Sequence, residues 1–175
     1  NAYKKIPYIY PSANVMPRLS LLCDKDEKKV EREAVRYGFD RFTTDWVEAT
    51  ADPEIDVFDN CGPDPVHVEP SIAALASGKH VICEKPMAVS AADARRMRDA
   101  AAAASGKAVC TFNYRFMPAV RLAKDLIASG KMGRIYHIRV NYLQMAGHDP
   151  SLPPDAVWYA AWPHSGGIQG IGSHA

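Results

Sequence analysis

The sequence predicts an α/β fold, a doubly wound parallel sheet followed by the start of a second α/β unit. Three observations carry this. Short apolar runs alternate with amphipathic or charged stretches through the first two thirds of the chain. Those stretches close on Gly38, Gly78, Gly106 and Gly130, the residue type that commonly ends helices. The connections are short, which argues for right-handed β-α-β units.

The elements follow in order. Residues 19–24 (Leu-Ser-Leu-Leu-Cys-Asp) form a nearly continuous apolar run ending in a carboxylate, as in a buried parallel strand. Residues 25–37 are charge-rich, with Val30, Ala34 and Tyr37 on one face, and read as a surface helix. A brief strand at 42–44 precedes Asp45, which can cap a helix over 46–51. Residues 55–60 read as a strand running into the turn Cys61-Gly62-Pro63-Asp64-Pro65, and residues 66–77 as a helix. The strand at 80–83 runs into Glu84-Lys85-Pro86. Ser90, with Asp93 three positions on, caps an alanine-rich helix to residue 105 that Gly106 ends. A strand at 108–112 and a helix at 118–129 follow. Residues 135–144 then alternate, with Tyr136, Ile138, Val140 and Tyr142 on one face, as in a strand covered on one side. Lys79, Lys107 and Lys131 each follow a helix-ending glycine and suit the negative end of a helix dipole. The change of pattern near Met117 divides the chain into domains at 1–117 and 118–175, with an irregular tail rich in proline and aromatics over 146–164.

Composition narrows the function. The 175 residues are 47% apolar and 23% charged, too apolar for a disordered chain. No apolar run approaches the roughly 20 residues of a spanning helix, so no membrane role is expected. A net charge of +1 without a basic block gives no support to nucleic-acid binding. The four cysteines include no Cys-x-x-Cys pair and read as buried, reduced thiols. With no secretory signal visible at the start, this predicts a cytoplasmic protein. His148, Asp149 and His164 match no metal-ligand spacing, and no metal site is expected.

Doubly wound sheets bind ligands at the carboxyl ends of their strands. That rule collects Asp24, Cys61-Gly62-Pro63, Glu84-Lys85-Pro86 and Asn113-Tyr114-Arg115 on one rim. Plainer readings exist beside it. Asp24 can cap the helix that follows, Gly62 to Pro65 can be an ordinary turn, and His67 can be a structural histidine bonded to a carbonyl. Glu84-Lys85-Pro86 stands out. A charged pair directly after a buried strand puts Lys85 at a low-dielectric rim with the backbone fixed by Pro86. A lysine there can polarise or help deprotonate a hydroxyl.

The run Gly78-Lys79-His80-Val81-Ile82-Cys83-Glu84-Lys85-Pro86 resembles the signature of the glucose–fructose oxidoreductase, inositol dehydrogenase and rhizopine catabolism (Gfo/Idh/MocA) family. Asp52-Pro53-Glu54-Ile55-Asp56-Val57, Ala73-Ala74-Leu75-Ala76-Ser77-Gly78, Asn113-Tyr114-Arg115-Phe116-Met117-Pro118, Gly130-Lys131-Met132-Gly133-Arg134-Ile135 and Gly172-Ser173-His174 extend the resemblance over essentially the whole chain. It implies an N-terminal dinucleotide-binding (Rossmann) domain and a C-terminal α/β domain with an open, mostly antiparallel sheet. It implies an NAD(P)-dependent oxidoreductase that moves a hydride between nicotinamide and a hydroxylated carbon of a sugar, inositol or related polyol. By position, Lys85 is the active-site lysine, often with a cis peptide before Pro86, and His174 is the acid/base. Asp24 meets the adenosine ribose, while Cys61, Gly62, Pro63, His67, Glu84, Lys85, Pro86 and Asn113 line or support the cofactor. The Asp24 carboxylate favours NAD by repelling a 2′-phosphate, and the adjacent Lys25 leaves NADP open. A homo-oligomer, dimer or tetramer, is expected, with the exposed face of the 135–144 strand as one candidate surface.

Two departures from the pattern matter. The family opens with a strand and a Gly-x-Gly-x-x-Gly turn, whereas here Asn1-Ala2-Tyr3 resembles the helix that follows them. The sheet is therefore expected to lack its first, central strand, as in a truncated chain, leaving two neighbours without a partner. Gly170 stands where the family usually carries an aspartate four residues before the histidine. That makes a non-catalytic dinucleotide-binding homologue an alternative, beside an NAD-dependent glycosidase.

Overall fold

The computed structural model describes residues 2–141. A 3-10 turn at Tyr3–Lys5 leads into α1 (Ile6–Ile9), as expected for the first residues. Then come β1 (Leu21–Cys23), α2 (Glu27–Tyr37), β2 (Arg41–Thr43), α3 (Trp46–Ala51) and β3 (Val57–Asn60). A second 3-10 turn, Asp64–Val66, precedes α4 (Val68–Ala76) and β4 (His80–Cys83). The chain continues through α5 (Ala91–Ala103), β5 (Ala108–Cys110), a 3-10 turn at Asn113–Phe116 and α6 (Pro118–Ala128).

Every strand pair among the described residues is parallel. β1 pairs with β2, and β3, β4 and β5 form a second sheet in that order. Leu22 stands opposite Phe42, Phe58 opposite Val81, and Cys83 opposite Cys110. The sheet is thus split between β1 and β3, where the sequence places its missing central strand. Asp26 and Asp45 cap α2 and α3 by accepting from the backbone N–H of Lys29 and Val47. Ser90 caps α5 by accepting from the Asp93 N–H. The core lies in the second half, where Val68, Ala74, Leu75, Val81, Cys83 and Met97 pack together beneath Phe58, Ile72 and Met87.

Several expectations are corrected. Gly38, Gly78 and Gly130 take the left-handed conformation that ends helices, but Gly106 does not. α5 stops at Ala103, and its C-cap is the extended Ala104. Gly106 is there for closeness instead, since a Cβ at this position would lie 2.1 Å from the Lys79 carbonyl oxygen and 2.7 Å from its carbon. Lys79 serves another helix than the one it follows. Only 5% exposed, its Nζ donates to the carbonyls of Asp52 and Ile55, closing the C-terminal end of α3. Lys79→Met is expected to destabilise the fold by about 1–3 kcal/mol through these unmatched carbonyls, read as a lower denaturation midpoint at unchanged slope. An unaltered midpoint would show the clamp to be idle. Cysteine burial is uneven: Cys83 is buried, Cys23 and Cys110 are half-buried, and Cys61 is exposed because it lies in the loop past β3. Cys110 ends β5 rather than lying inside a longer strand.

The strand predicted over 135–144 does not form within the described residues. Residues 133–141 carry no regular structure, and Ile135, Tyr136, Ile138 and Val140 are exposed. Alternation supplies a face to bury, but a strand also needs a neighbour for its backbone groups, and none stands beside this segment among the described residues. α6 likewise has no buried residue, with Val120, Leu122 and Ile127 exposed. The expected antiparallel sheet, Gly170, His174, His148, Asp149 and His164 lie outside the described residues. No helix of the described residues is long and apolar enough to cross a membrane, and no metal-ligand cluster occurs among them.

Candidate active site

The loops after β3 and β4 are tied into one unit. Asn60, the last residue of β3, is buried. Its Oδ1 accepts from the Gly62 N–H at 3.2 Å, which folds the chain back directly after the strand. Its Nδ2 faces the carbonyls of Val66 and His67 and the Ser71 hydroxyl, at 3.1–3.2 Å. Gly62 is needed in that turn, because a Cβ would lie 2.6 Å from Val66 Cγ2. The Asn60 carbonyl accepts from the Glu84 N–H at 2.9 Å and so carries the β3–β4 ladder into the site.

His67 joins the two loops. Its ring is fully buried, with Nδ1 2.8 Å from the Pro86 carbonyl oxygen and Nε2 2.8 Å from the Gly62 carbonyl oxygen. Glu84 Oε2 accepts from the Lys85 N–H at 2.9 Å, and the Glu84 carbonyl faces the thiols of Cys83 and Cys110. Pro86 is buried, Lys85 half-buried, and the peptide between them is cis. Cys61, Gly62, Pro63, His67, Glu84, Lys85 and Pro86 therefore converge at the carboxyl ends of β3 and β4. Asn113 opens the 3-10 turn just past β5, the next strand of that sheet. Asp24 stands apart, directly after β1 in the other sheet.

Electrostatics sort these groups by task. Cys61 is exposed as a residue, but partial burial of its thiol and the adjacent Asp59 carboxylate push that group up to about 12, and burial does the same for Cys83. Both are neutral thiols near pH 7, poor nucleophiles that suit lining rather than chemistry. The Lys29 ammonium, 2.5 Å from Asp24 Oδ2, holds the Asp24 carboxyl below the usual carboxylate range, helped by the Asp26 N–H on Oδ1 and opposed by partial burial. Asp24 is thus ionised near neutrality. Asp24 does not cap α2, since Asp26 holds that position; it accepts from the Asp26 N–H just ahead of the helix and presents an anion at the end of β1.

Sequence reasoning passed over Asn60, treating it as a strand end. The usable signal was an asparagine two residues before a glycine at the end of an apolar run, where its side chain can imitate a backbone turn. Two further polar atoms, Asp64 Oδ2 and Thr111 Oγ1, are buried without a hydrogen-bond partner in the segments after β3 and β5.

Comparison with known proteins agrees with this arrangement. Residues 2–113 match the family described as an oxidoreductase family with an NAD-binding Rossmann fold. Levoglucosan dehydrogenase of Pseudarthrobacter phenanthrenivorans is 35% identical over 173 residues, which is 99% of this chain and 44% of that protein. The solved apo form of a levoglucosan dehydrogenase superposes with a TM-score of 0.88 at 35% identity, covering 99% of this chain and 45% of that one. A levoglucosan dehydrogenase complex with NADH and levoglucosan superposes with a TM-score of 0.71 at 37% identity, over 76% of this chain and 36% of that one. The chain spans less than half the length of these relatives. A parallel α/β sheet, strand-end loops locked around a Glu-Lys-Pro turn and a family match over residues 2–113 agree, and the chain belongs to the Gfo/Idh/MocA family of oxidoreductases.

Proposed function

We propose that the protein containing this chain is an NAD(P)-dependent oxidoreductase acting on a hydroxylated carbon of a sugar, inositol or related polyol, and that NAD is its preferred cofactor. The observation that carries this reading is Lys85, held at the carboxyl end of β4 in a loop that His67 and Asn60 lock to the end of β3. The residues present suit the two ends of a dinucleotide unequally. Asp24 offers an ionised carboxylate for ribose hydroxyls, and the β3 and β4 loops offer a half-buried platform for a nicotinamide ring. Among the described residues no glycine-rich turn precedes a helix, so the pyrophosphate finds no backbone cradle there.

NAD, when bound, supplies the hydride acceptor. The chain's task is the proton. A carbinol carbon releases hydride readily only as its hydroxyl loses a proton, which calls for a base within reach and a positive charge beside the developing oxyanion. Lys85 supplies the charge, and His174 is proposed as the base. Residues 1–117 would be the cofactor domain and 118–175 the start of a substrate and oligomerisation domain. The exposed stretch Ile135, Tyr136, Ile138 and Val140 would be buried there or between subunits.

The test uses the full-length protein with NAD and levoglucosan, myo-inositol and glucose as probe substrates, followed at the NADH absorbance band. NADH formation with at least one of them is expected, with tighter binding of NAD than of NADP. No binding of either dinucleotide would overturn the reading. Asp24→Asn is expected to weaken NAD by about tenfold, the scale of one charge-assisted hydrogen bond. The pH dependence follows from the depressed carboxyl: its contribution is complete above the ordinary carboxylate range and is lost only as pH falls below about 4. Calorimetric titration at pH 5 and pH 7 should therefore show no Asp24-dependent change in affinity.

A further inference from the structure

We infer that His67 donates hydrogen bonds from both ring nitrogens, and that this buried imidazolium fixes the Lys85-Pro86 loop against the Gly62 loop. Its two ring nitrogens each lie 2.8 Å from a backbone carbonyl oxygen, Nδ1 from Pro86 and Nε2 from Gly62. Carbonyl oxygens only accept, and a neutral imidazole carries a single N–H. In either neutral tautomer one of the two contacts would set a nitrogen lone pair against an oxygen lone pair at hydrogen-bond distance. The ring is fully buried, so no water relieves that contact. Only the doubly protonated ring satisfies both oxygens.

A buried cation is costly unless hydrogen bonds and a nearby anion compensate it. Two charge-assisted bonds are in place. The acidic groups on the segments that hold the ring are Asp64, one turn ahead in the same loop, Glu69 in the first turn of α4, and Glu84, two residues before Pro86. Asp64 Oδ2 is buried with no hydrogen-bond partner among the described residues. The opposing influences are the positive end of α4, whose N-cap is His67 itself, and the neighbouring Lys85 ammonium.

The consequence reaches Lys85 through Pro86. The ring grips the carbonyl of the residue directly after the lysine, while Glu84 Oε2 takes the lysine's own N–H. The backbone of Lys85 is thus held on both sides. His67 is a positioning residue, and that part of the inference rests on the oxidoreductase reading above. The double donation does not.

The experiment separates the two. In the full-length protein labelled with ¹⁵N and ¹³C, the His67 ring is assigned by correlation to its own backbone. Each nitrogen should show a directly bonded proton near pH 7, with through-bond couplings to the Gly62 and Pro86 carbonyl carbons. One bare nitrogen overturns the inference, whatever the enzyme does. His67→Gln, which cannot donate in both directions, is then expected to lower kcat by about 10²-fold, the scale of a misplaced catalytic group, with NAD affinity within about twofold of the original. An undiminished kcat would overturn the positioning role. Should the variant not fold, the two ring nitrogens of the unsubstituted protein still decide the double donation, and the milder His67→Asn takes over the kinetic comparison. Failure to bind NAD at all would strike the oxidoreductase reading and leave the ring assignment standing.

Discussion

Lys85→Met in the full-length protein is expected to lower kcat by about 10²–10⁴-fold, the usual contribution of a group that handles charge and proton at the reacting oxygen. NAD affinity should change little, because methionine keeps the length of the side chain and removes only the ammonium. The loop itself should survive, since it is held by the Lys85 N–H on Glu84 and by the His67 contacts to Pro86 and Gly62, none of which uses the lysine head group. Lys85→Arg restores a cation without a titratable amine, as guanidinium does not lose its proton in proteins. Partial recovery in the arginine variant would assign Lys85 a purely electrostatic role, and no recovery would assign it a share in proton movement. Steady-state kinetics beside a fluorescence titration of bound cofactor read both quantities. A methionine variant with full turnover would remove Lys85 from the chemistry.

Gly106→Ala is expected to be among the most damaging single-methyl changes in the chain. The added Cβ would lie 2.1 Å from the Lys79 carbonyl oxygen, 2.7 Å from its carbon and 3.2 Å from the His80 nitrogen. All three are backbone atoms at the entrance to β4, and the Lys79 side chain is itself anchored on Asp52 and Ile55, so the neighbour has nowhere to retreat. Overpacking of this kind costs about 3 kcal/mol or more. In a chain of this size that corresponds to a fall in Tm of about 10 °C. Gly130→Ala provides the contrast. No atom lies within 4 Å of its would-be Cβ, and only the left-handed backbone opposes the substitution, at about 1 kcal/mol. Equal melting temperatures for the two variants would refute the steric account of Gly106.

Much of this was legible in the residues because local and global signals agreed. Asp45 and Ser90 announced their helices, and the apolar run of β4 was flanked by Gly78 and Glu84-Lys85-Pro86, so its bounds came out as expected. The strand-end rule assembles Cys61, Gly62, Glu84 and Lys85 from the residues alone. Other features needed three dimensions. A lysine after a helix-ending glycine looks like a cap for that helix, and only packing reveals that Lys79 turns to α3 instead. Gly106 looked like a terminator because close approach and a positive φ both select glycine, and sequence does not tell them apart. The alternation of residues 135–144 was real, but periodicity describes a face, not a partner. The plainer alternative for His67 has it bonded to one carbonyl, whereas the ring meets two.

The break between β1 and β3 leaves each sheet with an outer strand whose peptide groups face no neighbouring strand. Such ladders recruit any extended segment that comes near, including one from another molecule. Leu21 to Cys23 and Val57 to Asn60 are short, which limits such pairing, and Asp59 adds a charge to the second of them. The two open ladders are therefore places where an extended strand can add to the sheets, and their brevity keeps such addition weak.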